Sequence, residues 1–162
     1  MEIDVNWTLF DFVVFGGMLL AAGSAYAFLR YKARNPTYRV AAAITVVTAV
    51  LLFWMNGAVG IIGSEDNPAN LMYFGVLAVA IVGALLARFR PAGMARTMYA
   101  TALAQAAIAA IAIVGGLGPD SPKWPMDVLA LTAFFAILWL IAGRFFRNAA
   151  RPRYSSRDRS AL

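Results

Sequence analysis

The chain has 162 residues, 62% of them hydrophobic and only 14% charged, with a mean hydropathy of +0.70. Soluble domains lie at roughly 45–50% apolar and 25% charged, and a chain this short cannot enclose so much apolar surface in one core, so the composition describes an integral membrane protein. With no Cys and no His, disulfides, thiolate nucleophiles, Ser-His-Asp and Cys-His triads, His-ligated haem and HExxH zinc chemistry are all excluded, which leaves carboxylate, amide, hydroxyl, thioether and Lys/Arg groups.

A spanning helix needs about 20 mostly apolar residues, and five stretches qualify. The first is predicted over 9–29. Thr8-Leu9-Phe10-Asp11 fits the S/T-x-x-D/E capping pattern, so Asp11 reads as a cap, with a functional carboxylate as the alternative. Gly17, Ala21 and Ala25 form a small-residue stripe of the kind that lets helix backbones meet in lipid. Glu2 and Asp4 precede this span, and Arg30, Lys32, Arg34 and Arg39 follow it. That charge order predicts a signal anchor of reversed orientation, not a cleaved signal peptide.

The second span is predicted over 40–62, with Asn56 in its outer third. An amide in lipid needs partners, so Asn56 reads as glue between helices or as the lining of a site. The loop that follows contains Ser64, Glu65, Asp66, Asn67, Pro68 and Asn70. Asn67 reads as a helix N-cap and Pro68 as the first helical position. Glu65 and Asp66, beside Ser64 and Asn70, offer hard oxygen ligands of the type Ca²⁺ or Mg²⁺ takes. The spacing is not that of an EF-hand; a solvated acidic loop is the simpler reading, and no metal or cofactor is expected.

The third span is predicted over 71–87, with Gly75 and Gly83 on one face. Arg88, Arg90 and Arg96 mark the next connection. The fourth span, over 98–117, is alanine-rich all round and is expected to be the central helix, with Ala102, Ala106 and Ala110 as its contact stripe. Gln105 lies near its middle with Thr101 one turn before it. Together they line a narrow path or bond to a neighbouring helix. After Asp120, Ser121, Pro122 and Lys123 comes the fifth span, over 125–143. Asp127 stands in its first turn, where a carboxylate suits the positive end of the helix dipole. Phe134, Phe135, Leu138, Trp139 and Leu140 make this span bulky, with one side toward lipid. The predicted organisation is a five-helix transmembrane domain over 1–148 and a disordered basic tail over 149–162, positioned against anionic lipid head groups.

Thirteen of the fourteen basic residues fall on one side of this arrangement, and Lys123 alone falls on the other. Seven of the eight acids lie on the Lys123 side; Asp158 is the exception. The positive-inside rule then predicts the N-terminus outside and the C-terminus cytoplasmic. Trp7 and Trp124 are expected at the outer interface, and Tyr31, Tyr38, Phe89 and Tyr99 at the inner one.

Two segments carry a resemblance. They are Gly60-Ile61-Ile62-Gly63-Ser64-Glu65-Asp66-Asn67-Pro68-Ala69-Asn70-Leu71-Met72-Tyr73-Phe74, and Arg88-Phe89-Arg90-Pro91-Ala92-Gly93-Met94-Ala95-Arg96 with Ala102-Leu103-Ala104-Gln105 after it. The chain resembles small uncharacterised bacterial multi-pass inner-membrane proteins over about Trp7 to Leu117. The resemblance implies a location in the bacterial inner membrane and carries over no activity, cofactor or site residue.

Asp11, Glu65, Asp66 and Asp127 all reach the outer side at or near helix starts. If the helices cluster, they form an acidic vestibule above Asn56 that concentrates cations. Two functional readings follow. One is a scaffold or accessory subunit that packs with itself or with a larger membrane complex, suggested by the small-residue faces and the modest polar inventory. The other is an oligomeric channel or transporter for a cation or small solute. No paired-acid or nucleophile motif supports a lipid enzyme, and nucleic acid is not expected as a partner.

Overall fold

The structure, a computed structural model, describes residues 9–33, 35–118 and 122–151, with all their side chains except those of Phe10 and Asp11. The regular elements among them are helical: α1 (Leu9–Lys32), α2 (Pro36–Ala58), a 3-10 turn (Pro68–Leu71) leading into α3 (Met72–Leu86), α4 (Pro91–Val114) and α5 (Met126–Ala149). All five are long and apolar enough to cross a membrane, α3 together with its 3-10 turn. The predicted tail from 152 onward lies outside the described residues.

Helix ends follow local chemistry more than hydropathy. The Asn35 side chain accepts the Tyr38 N–H at 2.8 Å, and Pro36 occupies the first turn, where no N–H partner is needed. The Asn35 amide also donates to the Ala149 carbonyl (3.1 Å), which ties the start of α2 to the end of α5. α4 begins at Pro91, seven residues before the hydropathy boundary at 98, again on a proline. α5 continues past Gly143 to Ala149, because the long stems of exposed Arg144 and Arg147 carry their charges outward while the backbone stays helical. α2 stops at Ala58, not at residue 62, because Gly60 turns to a φ of +73° and Asn70 takes the next two amides.

Consecutive helices run antiparallel, so their ends gather in two groups. At one end the Tyr38 hydroxyl donates to the Phe89 carbonyl (2.8 Å), and Phe28 of α1 meets Phe89 edge-on at 5.0 Å. Arg30, Lys32, Arg39, Arg88, Arg90, Arg144, Arg147 and Arg151 lie at this basic end. At the opposite end the Asn67 amide donates to the Leu117 carbonyl (2.6 Å), and Gly118 stands against Trp124 and Gly63. Glu65, Asp66, Lys123 and Asp127 lie there.

α4 is the most buried of the five helices and α1 the least. The expected Ala102–Ala106–Ala110 stripe is not the face that α4 buries: Ala102 is inside, but Ala106 and Ala110 are exposed. The buried face runs through Met98, Thr101, Gln105, Ala109 and Ala112. Apolar content distinguishes no side of an alanine-rich helix, so the two polar side chains set its rotation by turning away from lipid. Gly83 stands on Thr97 of α4, where a Cβ would come to 2.5 Å, and Gly143 stands on the Tyr99 ring, where it would come to 2.7 Å. Gly75 has nothing within 4 Å of such a Cβ, so only half of the predicted α3 pair makes a close contact. Phe135 and Trp139 of α5 are fully buried while Phe134 and Leu140 are exposed, the one-sided pattern expected of this helix.

Two expectations need correction. Tyr38 lies in the first turn of α2 at the basic end, but its ring does not face lipid there. It is buried, because its hydroxyl finds the Phe89 carbonyl and its ring packs edge-on against Phe146 at 4.9 Å. The Gly17–Ala21–Ala25 stripe meets no helix. It faces an open apolar cleft, and α1 leans on α2 with Phe15 edge-on to Trp54 at 5.3 Å.

Candidate functional site

The loop between α2 and α3 is built by two asparagines. The Asn70 carbonyl oxygen accepts both the Ile61 and Ile62 N–H groups (2.9 and 2.8 Å), and its amide donates to the Ser64 carbonyl at 2.7 Å and the Ile62 carbonyl at 3.4 Å. Asn70 is almost fully buried, so each of these bonds replaces one that water no longer supplies. Asn67 caps the 3-10 turn by accepting the Ala69 N–H at 2.9 Å. It also reaches across to Leu117. Both amides are thereby occupied in holding backbone.

The carboxylates are arranged differently. Glu65 and Asp66 are exposed on the loop surface. Asp127 is half-buried, and its carboxylate accepts the Val128 N–H at 2.8 Å in the first turn of α5. The Asp11 backbone belongs to α1, and its side chain lies outside the described residues. Among the described residues no group of three or more His, Cys, Asp or Glu side chains is arranged to hold a metal ion. The contacts at Gly63–Gly118 and Asn67–Leu117 bring the two acidic connections together at one end of the bundle.

What the fold gathers inside is a set of neutral polar groups. Asn56 on α2, Tyr73 on α3, Gln105 on α4, and Thr132 and Trp139 on α5 are all buried. Among the described residues the Asn56 Oδ1, the Tyr73 hydroxyl, both amide atoms of Gln105, the Thr132 hydroxyl and the Trp139 Nε1 have no hydrogen-bond partner. The Tyr73 hydroxyl is directed toward Thr132, without reaching bonding geometry.

Helix register sets the order of these groups in depth. Tyr38 packs on Phe146, so Asn56 comes level with the first turn of α5, one turn from Thr132. Tyr99 packs on Gly143, so Gln105 comes within one turn of the level of Trp139. The polar groups therefore descend from the acidic end to the middle of the bundle: Asn56, then Tyr73 and Thr132, then Gln105 and Trp139. Thr48 lies level with Gln105 and Thr101 comes one turn deeper, with hydroxyls already bonded to the Ile44 and Thr97 carbonyls of their own helices.

Each unpaired buried polar group costs about 1–3 kcal/mol, and a native protein carries few of them. Such a file suits water or a small neutral polar solute, since amide and hydroxyl groups both donate and accept. Asn56 and Gln105 were legible as intramembrane amides. Tyr73, Thr132 and Trp139 were not, although Thr132, Phe135 and Trp139 share one face at helical spacing and tyrosine and tryptophan carry a polar handle that asks for a partner when buried.

No family profile, curated protein or solved structure matches the chain. The class of protein therefore rests on its own helices: five spans gathered around a buried core, a multi-pass helical membrane bundle.

Proposed function

We propose that the protein is an accessory or scaffold subunit of the bacterial inner membrane, packing through α1 with a larger membrane complex or a second copy of itself. The basic end faces the cytoplasm, the N-terminus lies outside, and the basic C-terminal tail meets anionic head groups. The concentration of Arg and Lys at one end supports that orientation.

One observation carries the packing role. Only 6% of the most apolar stretch of α1 is buried within the chain, against 22–39% in the other four helices. The outward side of α1 presents Val13, Gly16, Leu20, Gly23 and Ala27, and a Cβ at either glycine would meet nothing within 4 Å. Small residues at such spacing let a second helix come close in lipid. Gly16→Leu with Gly23→Leu is expected to convert the assembly to a monomer of unchanged helicity. Native mass spectrometry after gentle extraction checks this, and a wild-type protein that is already monomeric refutes the reading.

The buried polar file supports a second reading, an oligomeric channel or transporter for a cation or small solute. Glu65, Asp66 and Asp127 at the acidic end of the bundle would raise local cation concentration. Gln105→Leu removes two unpaired buried groups at nearly constant volume. It is expected to stabilise the bundle by about 1–2 kcal/mol in reversible detergent unfolding. On the transport reading the same variant lowers flux into liposomes by about tenfold; undiminished flux leaves Gln105 a structural residue.

A further inference from the structure

The cleft beside α1 is separate from the polar file. Its walls are Gly17, Ala21 and Ala25 of α1 and Leu77, Ala80 and Ala84 of α3, and α2 forms its floor. The one hydroxyl at its surface, that of Thr45, already donates to the Ala41 carbonyl (2.9 Å) and lies 3.4 Å from the Met98 sulfur. The cleft therefore offers its occupant dispersion contacts and no free hydrogen-bonding group.

Its shape limits what that occupant is. The cleft follows α1 from Val14 to Leu29, inside the spanning stretch of that helix. At 1.5 Å per residue that length is about 22 Å, so a volume of about 610 Å³ is drawn out along the helix and small in cross-section. A slot this long and narrow matches an extended hydrocarbon chain.

The basic end of the cleft carries complementary charge. Phe28 and Phe89 line it there, in edge-on contact. The Lys32 ammonium lies 5.6 Å from the centre of the Phe28 ring. Arg88 and Phe89 both adopt left-handed backbone, with φ of 49° and 57°. That turn directs the Phe89 ring onto the cleft and leaves Arg88 and Arg90 exposed on either side of it. Lys32 thus stands beside the aromatic end of the slot, and exposed Arg88 and Arg90 flank Phe89 in the chain.

We propose that this cleft is a lipid site, holding one acyl chain of an anionic phospholipid whose phosphate is bound by Lys32, Arg88 and Arg90. This goes beyond the packing role of α1, which uses the opposite side of that helix. The lipid comes from the leaflet at the basic end.

The test uses the full chain reconstituted in vesicles of equal phosphatidylglycerol and phosphatidylcholine, then released for native mass spectrometry. The expected result is one retained lipid per chain, with phosphatidylglycerol favoured by about thirty-fold or more, as two or three basic side chains near an anionic surface would give. Ala21→Phe fills the slot from an exposed position and is expected to remove the retained lipid. Lys32→Gln with Arg88→Gln changes only exposed side chains. It is expected to keep the lipid and lose the preference for phosphatidylglycerol. The proposal is overturned if the wild-type chain retains no lipid, if retention is unchanged in Ala21→Phe, or if the head-group preference survives the double substitution. Disulfide cross-linking of Ala21→Cys between two copies would also overturn it, since a second copy would then fill the cleft. The packing role is judged by the Gly16 and Gly23 variants, so either idea can fail alone.

Discussion

Asn70→Ala is expected to destabilise the bundle by about 3 kcal/mol, because two buried backbone amides lose their acceptor together and the Ser64 carbonyl loses one of its two donors. The Ile61 and Ile62 amides and the Ser64 carbonyl are all bonded to this one side chain. Ile61 and Ile62 are fully buried, so water cannot replace what is lost without opening the loop. Asn70→Asp keeps the acceptor for the two amides but gives up the donor to Ser64 and introduces a buried charge, so it should rescue little. Glu65→Gln and Asp66→Asn in the same loop are exposed and should stay within about 0.5 kcal/mol of the wild type. Reversible unfolding in mixed detergent micelles measures all four. A near-neutral Asn70→Ala would mean that the loop is held by its neighbours and not by this amide.

Gly60→Ala should be the most damaging of the small substitutions. Gly60 has a φ of +73°, in the region that L side chains rarely adopt. A Cβ there would also overlap the Ser64 carbonyl, with the Ser64 carbonyl carbon at 2.5 Å and the Glu65 nitrogen at 2.7 Å. These obstacles are backbone atoms fixed by Asn70, so no side chain can swing away. Backbone strain and overpacking each cost on the order of 1–3 kcal/mol, so a loss of about 3 kcal/mol is expected. Gly57→Ala is the matched control three residues earlier. That glycine is helical, and its Cβ would meet nothing within 4 Å. Alanine should therefore be neutral or stabilising by up to about 1 kcal/mol there. If the two variants unfold alike, the left-handed turn is not what ends α2.

Both results bear on function through the same geometry. The Gly60–Asn70 loop lies above Asn56 and holds the connection to Leu117 and Gly118. A loosened loop would open the acidic end of the polar file. The cleft on the other side of α2 would be unaffected, so lipid retention should survive in Asn70→Ala.

The sequence by itself determined the membrane class, the five spans and the separation of charge between the two ends. These follow from apolar run length and from where Arg and Lys fall, and neither needs a neighbour to be known. Asn67 as a cap was also legible, because an N-cap acts within its own turn. The rotation of each helix was not. α4 is alanine-rich on every side, and its buried face was decided by Thr101 and Gln105 packing against α3 and α5. Gly17, Ala21 and Ala25 have the spacing of a helix contact, yet only the tilt of α1 onto α2 left them lining a cleft. Asn70 looked like one more polar loop residue, but burial gives it four bonds and makes it the brace of the turn. In each case the physical reason is the same: local chemistry fixes where a helix begins and which side of the membrane its ends prefer, while the pairing of faces in lipid depends on close packing among helices far apart in the chain.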